Sequence, residues 1–454
     1  MTSIFIFRRE LRLYDNTALI EALKNSDTVI PIFIFTPTQL DSNKLKSNNC
    51  VQFMIESLKE LEEDLKKKGG KLYYFYDEPE KVLEKIMTEK TIDAVYVNRD
   101  YTLYSKKRDE KLEKVCKKNG ADFNSYDDSL LLPLHSVVTG SGTVYKVFTP
   151  FFNKAKNLPI PKPEANSRKN YYSGSLKGQY KGSIDKFYGE KNPNLHLHGG
   201  RKLGKKILKS LGEHGDYDKT RDQPAVETTH LSAYNKFGCV SIREVYWAFV
   251  EQLGKSNGLV RQLYWRDFYY NLGAEFDHVW KGKPFYEKYQ DLDWYGTSAQ
   301  FKKWKEGKTG YPIIDAAMRQ LNQTGYMHNR CRLLVSNFLI KLLGINWKKG
   351  EYYFAKKLVD YDPNQNNGNW QWVASTGAVS EQSTRIYNPW SQTRKIDPKC
   401  EYIKEWVPEL KDLPESDIFK WDVTYVEYEI DYPRPMMDYK EAREKGLNMY
   451  KSIK

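Results

Sequence analysis

The 454-residue chain is long enough for two or three domains with substantial cores, and it carries a formal net charge of +13. Its apolar runs are far shorter than the roughly 20 residues that span a bilayer. The first run, at 4–7, is followed at once by Arg8, which excludes a signal peptide. The five cysteines are scattered, which excludes a disulfide framework, and the seven histidines show no metal-ligand pattern. We therefore expect a metal-free, soluble protein inside the cell, in the cytoplasm or the nucleus, that crosses no membrane.

Strand-like and helix-like segments alternate over residues 1–130. Apolar runs predict strands at 4–7, 29–35, 72–76 and 94–97, and amphipathic segments predict helices at 18–23, 50–68, 79–88 and 106–118. Asp15, Asn16 or Thr17 can cap the first helix. This alternation indicates a doubly wound, parallel α/β sheet of the Rossmann-like kind, although no Gly-x-Gly-x-x-Gly follows the first strand.

Two further parts follow along the chain. Residues 131–215 are punctuated by prolines and rich in Asn, Lys, Ser and Gly, which is typical of a long connector. From residue 216 the pattern is helical: Pro312 can begin one helix, and another is predicted over 327–343 with Cys331, Leu334 and Phe338 on its buried side. We therefore predict an α/β domain at 1–130, a connector at 131–215 and an all-helical domain at 216–454.

The stretch from Asp360 to Trp372 is the most unusual in the chain. It places Asp360 and Asp362 two residues apart, then four Asn and one Gln within six residues, then a Trp-Gln-Trp ending. Such a segment is too polar for a core strand and too poor in helix formers for a good helix, so we predict a polar ligand-binding segment; an Asn/Gly-rich turn between two helices is the alternative. Arg330 and Arg332 would suit the two carboxylates as guanidinium partners.

Positive charge and aromatic residues also occur together, with 11 Trp and 34 Tyr in the chain. A basic surface attracts polyanions, and aromatic rings offer nucleic-acid bases a surface on which to stack. A Lys-rich surface whose charges are simply solvated accounts for the same totals, so composition leaves both interpretations open.

Ordered motifs along the whole chain resemble the photolyase/cryptochrome flavoprotein family. They are FRRELRLYDNTAL at 7–19, RDQPAVETTHLS at 221–232, YWRDFY at 264–269, WKEGKTGYPIIDAAMRQL at 304–321, GYMHNR at 325–330, NNGNWQW at 366–372 and DYPRP at 431–435. The likeness runs from residue 3 to about residue 446. It implies an N-terminal α/β antenna domain and a helical domain that holds FAD and binds DNA.

The resemblance assigns the flavin site residue by residue. The matching positions are Tyr217, Thr228, Thr229, Leu231, Ser232, Trp265, Arg266, Asn329, Arg332, Asp360, Asp362 and Asn366. Hydroxyl and backbone N–H groups suit pyrophosphate oxygens, Arg332 and Asp360 can pair beside the ring, and Asn366 offers a neutral amide to flavin N5. Taken singly, each of these residues is more often structural.

Three tryptophans match the family's electron-transfer chain: Trp370 nearest the flavin, Trp347 next and Trp294 near the surface. Indole gives up an electron more readily than most side chains. Composition alone fits three ordinary core tryptophans equally well.

The lesion pocket of cyclobutane-dimer enzymes is matched by Gln262, Trp265, Asn329, Arg330, Leu333, Trp372 and Arg385. Trp265 and Trp372 could sandwich a flipped dinucleotide. Six-four enzymes carry a His pair where this chain has Asn329 and Leu333, which argues against six-four repair. Gln262 departs from the pattern, because dimer enzymes usually have Glu there, and an amide cannot stabilise charge as a carboxyl does.

The antenna cofactor is less closely defined by the sequence. Folate-binding members have an Asn-Glu pair where this chain has Tyr104 and Ser105. We therefore expect a deazaflavin, or no antenna, rather than folate.

Three functions of different classes remain. The first, which we expect of a monomer acting on UV-damaged DNA, is light-driven splitting of cyclobutane dimers by an electron from excited, reduced FAD. The second is a blue-light-sensing cryptochrome that acts through partners, with a six-four photolyase as a further alternative within the family; signalling members often carry a long C-terminal tail, whereas this sequence ends at Lys454. The third, a non-photochemical nucleic-acid binder, leaves the flavin motifs unexplained.

Overall fold

The computed structural model describes residues 1–378 and 382–453. Parallel strands form one sheet, and they are β1 (Thr2–Phe7), β2 (Thr28–Phe35), β3 (Tyr73–Tyr76), β4 (Ala94–Asn98) and β5 (Asp122–Tyr126). Their order is β3-β2-β1-β4-β5, so β1 is central and pairs Ser3 with Val29 on one side and with Ala94 on the other. The predicted doubly wound parallel sheet is confirmed.

Strand β5 is the one strand of this sheet that the sequence patterns do not predict. Its residues, DFNSY, contain no apolar run, and each side chain stays at least partly exposed. The strand lies at the edge of the sheet, where it pairs only with β4 and places Ser125 opposite Val97. An edge strand buries less surface than a central one, so its sequence needs fewer apolar residues.

The α-helices of the first 275 residues are α1 (Thr17–Asn25), α2 (Pro37–Leu40), α3 (Asn48–Lys67), α4 (Pro79–Glu89), α5 (Leu103–Lys118), α6 (Phe148–Ala155), α7 (Arg201–Lys209), α8 (Tyr217–Thr220), α9 (Ser232–Lys236), α10 (Ile242–Leu253) and α11 (Gly258–Glu275). Those that follow are α12 (Ser298–Glu306), α13 (Pro312–Thr324), α14 (Asn329–Asn337), α15 (Trp347–Lys357), α16 (Pro363–Val373), α17 (Pro389–Ile396), α18 (Glu401–Trp406), α19 (Glu415–Ile418), α20 (Trp421–Thr424) and α21 (Tyr439–Lys451). Short 3₁₀ segments lie at Ile184–Tyr188, Leu211–His214, Asp277–Lys281, Glu287–Tyr289, Pro408–Leu410 and Tyr425–Glu427. Each helix predicted for residues 1–130 is present, and Asn16 caps α1 by accepting a hydrogen bond from the Leu19 N–H.

The chain divides into two compact units. Unit 1 comprises Met1–Lys191, Leu197–Gly215 and Thr229–Glu275, and unit 2 comprises Asn192–His196, Asp216–Thr228 and Phe276–Lys454. The three-part division at residues 130 and 215 remains a prediction.

Inside unit 1, a buried ion cluster ties α10 to the segment that follows β1. Arg12 and Arg243 both bind Asp128, at 2.5 Å and 2.8 Å, and Arg243 Nε donates to Asp15 Oδ2 at 2.9 Å. Two cations shared between two carboxylates offset the cost of removing these charges from water. The cluster therefore holds helix α10 and the sheet in one unit.

Unit 2 is helical, and α13 begins with Pro312 at its first position as predicted. The predicted helix at 327–343 is α14, which continues as a π-helical turn at Phe338–Leu342. Its predicted buried side is confirmed, because Cys331, Leu334 and Phe338 are all buried. Across the described residues, no helix has the length and apolar character needed to cross a bilayer.

Candidate active site

Within unit 2, Arg332 and Asp360 form the ion pair that the sequence predicts. Arg332 Nη2 lies 2.9 Å from Asp360 Oδ2, and Arg332 Nε donates to the Met327 carbonyl at 2.8 Å. Burial alone would lower the pKa of Arg332, but the Asp360 carboxylate raises it above its ordinary value. The second carboxylate oxygen, Asp360 Oδ1, is buried without a hydrogen-bond partner among the residues that the structure describes. A buried oxygen of this kind needs a donor, which a bound ligand can provide.

The other half of the predicted arginine–aspartate arrangement is wrong. Arg330 pairs with Asp222, at 2.5 Å between Nη2 and Oδ1. Asp362 instead caps helix α16, where its Oδ1 accepts from the N–H groups of Asn364 and Gln365 at 3.0 and 3.2 Å. The first backbone N–H groups of a helix have no partner within the helix and lie beside the N-cap residue. The Asp362 carboxylate therefore accepts from them and not from the predicted guanidinium.

The polar stretch after Asp362 is a helix, which corrects the prediction that it is too poor in helix formers. Asp362 at the N-cap and Pro363 at the first position provide a strong start signal. The amides then find partners on the buried side: Asn366 donates to the Glu351 carbonyl at 3.1 Å, and Asn367 donates to Glu351 Oε1 at 2.9 Å. These tertiary hydrogen bonds outweigh the weak intrinsic helix propensity of Asn.

Glu351 of α15 is a residue that sequence reasoning missed. Burial raises its pKa to about 7, although the hydrogen bond from Asn367 acts in the opposite direction. Its backbone carbonyl and its carboxyl thus hold both Asn366 and Asn367. A single Glu in a helix rich in Lys and Tyr gives no signal of this role, because the contact depends on how α15 packs against α16.

The three predicted electron-transfer tryptophans belong to one hydrophobic core of unit 2. Trp370 and Trp347 are buried in it, and Trp294 is partly buried against it. The ring of Trp370 contacts Phe354 edge-on at 5.0 Å and Trp304 edge-on at 6.4 Å. Trp304 was not among the predicted site residues, since its motif indicates only the family.

Helix α15 passes directly beneath Trp370. A Cβ atom on Gly350 would lie 2.2 Å from Trp370 Cη2, closer than any real contact. Only glycine allows this approach, so Gly350 fixes the depth at which the indole of Trp370 sits.

The remaining predicted residues of unit 2 lie closer to the surface. Asn329 and Arg385 are exposed, and Tyr217, Thr228, Leu333 and Trp372 are half-buried. Thr228 Oγ1 lies 3.4 Å from the Tyr326 hydroxyl. Asn329 and Leu333 stand one turn apart at the start of α14, as the helical spacing predicts.

In unit 1, helix α11 carries Gln262, Trp265 and Arg266, and the segment before and into α9 carries Thr229, Leu231 and Ser232. Gln262 and Ser232 are exposed, whereas Thr229 and Leu231 are buried. Trp265 is half-buried, and one face of its indole is stacked on Phe148 of α6, with ring centroids 3.6 Å apart. Arg266 donates to the Ser129 carbonyl and lies over the Tyr270 ring at 4.8 Å.

Comparisons with known proteins cover the whole chain. A family model for DNA photolyase matches residues 3–166, and one for the FAD binding domain of DNA photolyase matches residues 259–452. The chain is 35% identical over 474 residues to the deoxyribodipyrimidine photo-lyase of Escherichia coli strain K12, covering 100% of this chain and 99% of that protein.

Solved structures of a photolyase and a cryptochrome are also similar to this chain over its whole length. An archaeal photolyase from Sulfolobus tokodaii with two FAD molecules is 42% identical, with a TM-score of 0.89 and coverage of 100% of both chains. A cryptochrome from Synechocystis is 26% identical, with a TM-score of 0.89, and covers 100% of this chain and 99% of that one.

Proposed function

The chain belongs to the DNA photolyase family, and from this premise we propose that it uses light to split cyclobutane pyrimidine dimers in DNA. It is an enzyme, a deoxyribodipyrimidine photolyase and hence a carbon–carbon lyase, and light-driven DNA repair is its activity. The observation that carries the proposal is the similarity of the whole chain, at 35% identity, to a deoxyribodipyrimidine photo-lyase. The choice of lesion and the electron path are the parts that we propose.

The residues of unit 2 fit FAD, the cofactor that the family's FAD binding domain takes. Held by these residues in its reduced form, FAD would supply the light-driven electron transfer that opens the cyclobutane ring. Asp360 Oδ1, buried without a partner among the described residues, supports an N–H donor from the flavin ring. Asn366 commits its amide N–H₂ to the Glu351 carbonyl, so we assign its oxygen to flavin N5. We assign Arg332 to the ring as well, paired with Asp360.

The remaining cofactor assignments rest on residue type. Hydroxyl and backbone groups at Tyr217, Thr228, Thr229, Leu231 and Ser232 suit the phosphate and ribose part of FAD. Arg266, Asn329 and Asp362 complete the set that we propose.

Electrons reach the flavin through Trp370, Trp347 and Trp294 in this proposal. Membership of one hydrophobic core supports the path, because apolar surroundings keep water away from the rings. Trp304, which contacts Trp370 edge-on, is an indole neighbour outside this path.

Lesion choice rests on Asn329 and Leu333, which occupy one turn of α14. Moving an oxygen between the bases of a six-four photoproduct needs a proton donor, and an amide does not act as that acid. Splitting a cyclobutane dimer needs electron transfer only. Stacking by Trp265 and Trp372, with polar contacts from Asn329, Arg330, Arg385 and Gln262, is then sufficient.

Domain roles and the antenna complete the proposal. Residues 1–130 form the antenna domain, 131–215 the connector, and 216–454 the FAD- and DNA-binding domain. We propose a flavin-type antenna, either a deazaflavin or a second FAD, since the Sulfolobus tokodaii photolyase holds two FAD molecules. Arg108 supports a second ligand, because its Nη2 is buried with no partner among the described residues.

The antenna proposal is tested by denaturing the purified protein and separating the released chromophores. Two FAD per chain, or one FAD with one deazaflavin, supports it. Folate among the released chromophores would contradict it.

The lesion proposal is tested on oligonucleotides that carry a single cyclobutane dimer or a single six-four photoproduct. Under blue light with reduced flavin, chromatography should show loss of the dimer and persistence of the six-four lesion. The matched variant Gln262→Glu should repair dimers at least as well as the wild type, because it restores the carboxyl usual in dimer enzymes. Repair of six-four lesions with untouched dimers would overturn the assignment.

A light-sensing function is the second candidate, favoured by the similarity to the Synechocystis cryptochrome. The same assay separates the two. A protein that binds FAD and is reduced by light, yet repairs neither lesion, would be a sensor and not a repair enzyme.

A further inference from the structure

Helix α6 lays an aromatic ring flat against α11 inside unit 1. The centroids of Phe148 and Trp265 are 3.6 Å apart, and their planes differ by 7°. Because carbon atoms in contact lie about 3.5–4.0 Å apart, rings at this distance have almost no lateral offset. Phe148 therefore stacks directly on one face of the Trp265 indole.

We propose that Phe148 is a positioning residue, which fixes the plane of the Trp265 indole on which the flipped lesion stacks. The inference rests on the proposed function, which assigns Trp265 to lesion binding. Phe148 is 2% exposed, whereas Trp265 is half-buried. The buried ring of Phe148 thus packs behind the more exposed indole of Trp265.

Phe148 can serve as a support only if it is itself held in place. Its own ring meets Phe268 edge-on at 5.8 Å. Two further residues of α6 anchor the helix to α11: Phe151 meets Phe268 at 5.4 Å, and Phe152 meets Tyr264 at 5.3 Å, both edge-on. Several such contacts between the same two helices prevent Phe148 from following any rotation of the indole.

Arg261, one helical turn before Trp265, adds a cation to this cluster. Its guanidinium lies 5.3 Å from the Phe148 centroid and 5.2 Å from that of Phe152. Cation–π attraction of this kind further restrains the two phenyl rings.

The functional consequence concerns order before binding. An unsupported indole populates several staggered rotamers, and binding a lesion on it would cost the entropy of selecting one. Phe148, at 3.6 Å the nearest ring to the indole, restricts this choice in the free enzyme more tightly than Phe268 and Tyr269, both at 5.8 Å. Lesion affinity should therefore depend on Phe148 even though Phe148 does not touch the lesion.

The test compares Phe148→Leu with the wild type in dark binding to one oligonucleotide carrying a single cyclobutane dimer and to the same oligonucleotide undamaged. We expect the affinity of Phe148→Leu for the dimer to fall about threefold to tenfold, the value of one aromatic pair, with affinity for undamaged DNA unchanged. Phe187→Leu, which removes a buried ring stacked on Phe35 with centroids 4.3 Å apart elsewhere in unit 1, is the matched control and should keep wild-type preference. Phe148→Tyr, which retains the ring, should also bind as the wild type does.

A double-mutant cycle separates positioning from general stability. In a Trp265→Ala background, Phe148→Leu should cause no further loss of dimer affinity. An equal loss in both backgrounds, or an equal loss for damaged and undamaged DNA, overturns the inference. If Phe148→Leu does not fold, Phe148→Met, whose unbranched side chain adapts to an irregular gap, takes its place in the cycle.

The wild-type measurement distinguishes the two levels of the argument. A wild type without preference for the dimer overturns the proposed function and this inference together. A wild-type preference that Phe148→Leu leaves unchanged overturns the inference alone.

Discussion

At the scale of single residues, the buried Asp360 carboxylate uses only one of its two oxygens within the described part of the protein. One oxygen binds Arg332 at 2.9 Å, and the other is buried without a partner among the described residues. Removing this carboxylate leaves the guanidinium without its counter-charge. The same change removes the acceptor that we assign to the flavin.

Asp360→Ala should therefore purify with little or no FAD. We expect a loss of about 3–5 kcal/mol in the free energy of unfolding, as for other buried pairs broken on one side. The measurements are the ratio of flavin to protein absorbance and denaturant unfolding. Asp360→Asn, which keeps an acceptor for Arg332 without the charge, is the control and should lose less. Full FAD content in the alanine variant would contradict the assignment.

Trp370 is the residue on which the proposed electron path depends. Trp370→Phe keeps an aromatic ring against Phe354 but removes the indole donor. Photoreduction of oxidised FAD should slow sharply, as followed by visible absorbance under blue light. Repair by chemically reduced enzyme should persist, because that reaction does not need the path. Unchanged photoreduction would exclude Trp370 as the first donor.

Glu351 makes stability depend on pH. Its pKa is raised from 4.5 to about 7, so between pH 4.5 and pH 7 the Glu351 carboxyl is protonated in the folded protein and ionised in the unfolded chain. The stabilising effect is complete below pH 4.5 and disappears as the pH rises towards 7. Urea unfolding should show that Glu351→Gln, which does not titrate, gains on the wild type across this window by an amount on the order of 3 kcal/mol. If the difference in free energy of unfolding between the two proteins does not change with pH, the pKa of Glu351 is not raised in the folded protein.

At the scale of elements, helix α16 depends on a single carboxylate at its start. Asp362 accepts from two N–H groups, and the helix then places Asn366 beside the Glu351 carbonyl. The orientation of the proposed flavin-binding amide thus depends on a cap about one helical turn earlier in the chain.

Asp362→Ala should cost about 0.5–2 kcal/mol of unfolding free energy, the usual value of an N-cap. It should also weaken FAD binding, because Asn366 then follows a frayed first turn. Asp362→Ser retains capping and is the matched control. The measurements are unfolding by denaturant and titration with FAD; a variant with normal stability would show that the cap contributes little.

At the scale of the whole molecule, we expect the net charge of +13 to make affinity for DNA depend on salt. Duplex affinity should fall as salt rises, with log K decreasing by about 0.9 per neutralised phosphate for each tenfold increase in salt. Preference for damaged over undamaged DNA should persist through the titration, because it comes from uncharged stacking. Fluorescence anisotropy with both oligonucleotides checks this, and a preference that disappears with salt would place recognition in the phosphate contacts.

Several features follow from the sequence alone. Apolar runs predict four of the five strands of the sheet, β1 to β4, because a parallel sheet covered on both faces buries most of their side chains. Helical periodicity predicts the buried side of α14, and ordered motifs predict the family. Local patterns predict these features because the repeat of a helix or strand determines which of its residues face the core.

Only the tertiary structure decided the rest. Helix α16 forms against its propensity because Asp362 caps it and Glu351 satisfies its amides. Asp362 and Arg330 take partners other than the predicted ones. The folded chain places the N–H groups of Asn364 and Gln365 beside Asp362, and it places Asp222 beside Arg330. The support of Trp265 by Phe148, more than a hundred residues away, depends on how two helices pack. Contacts between distant segments are set by that packing, and no local pattern encodes them.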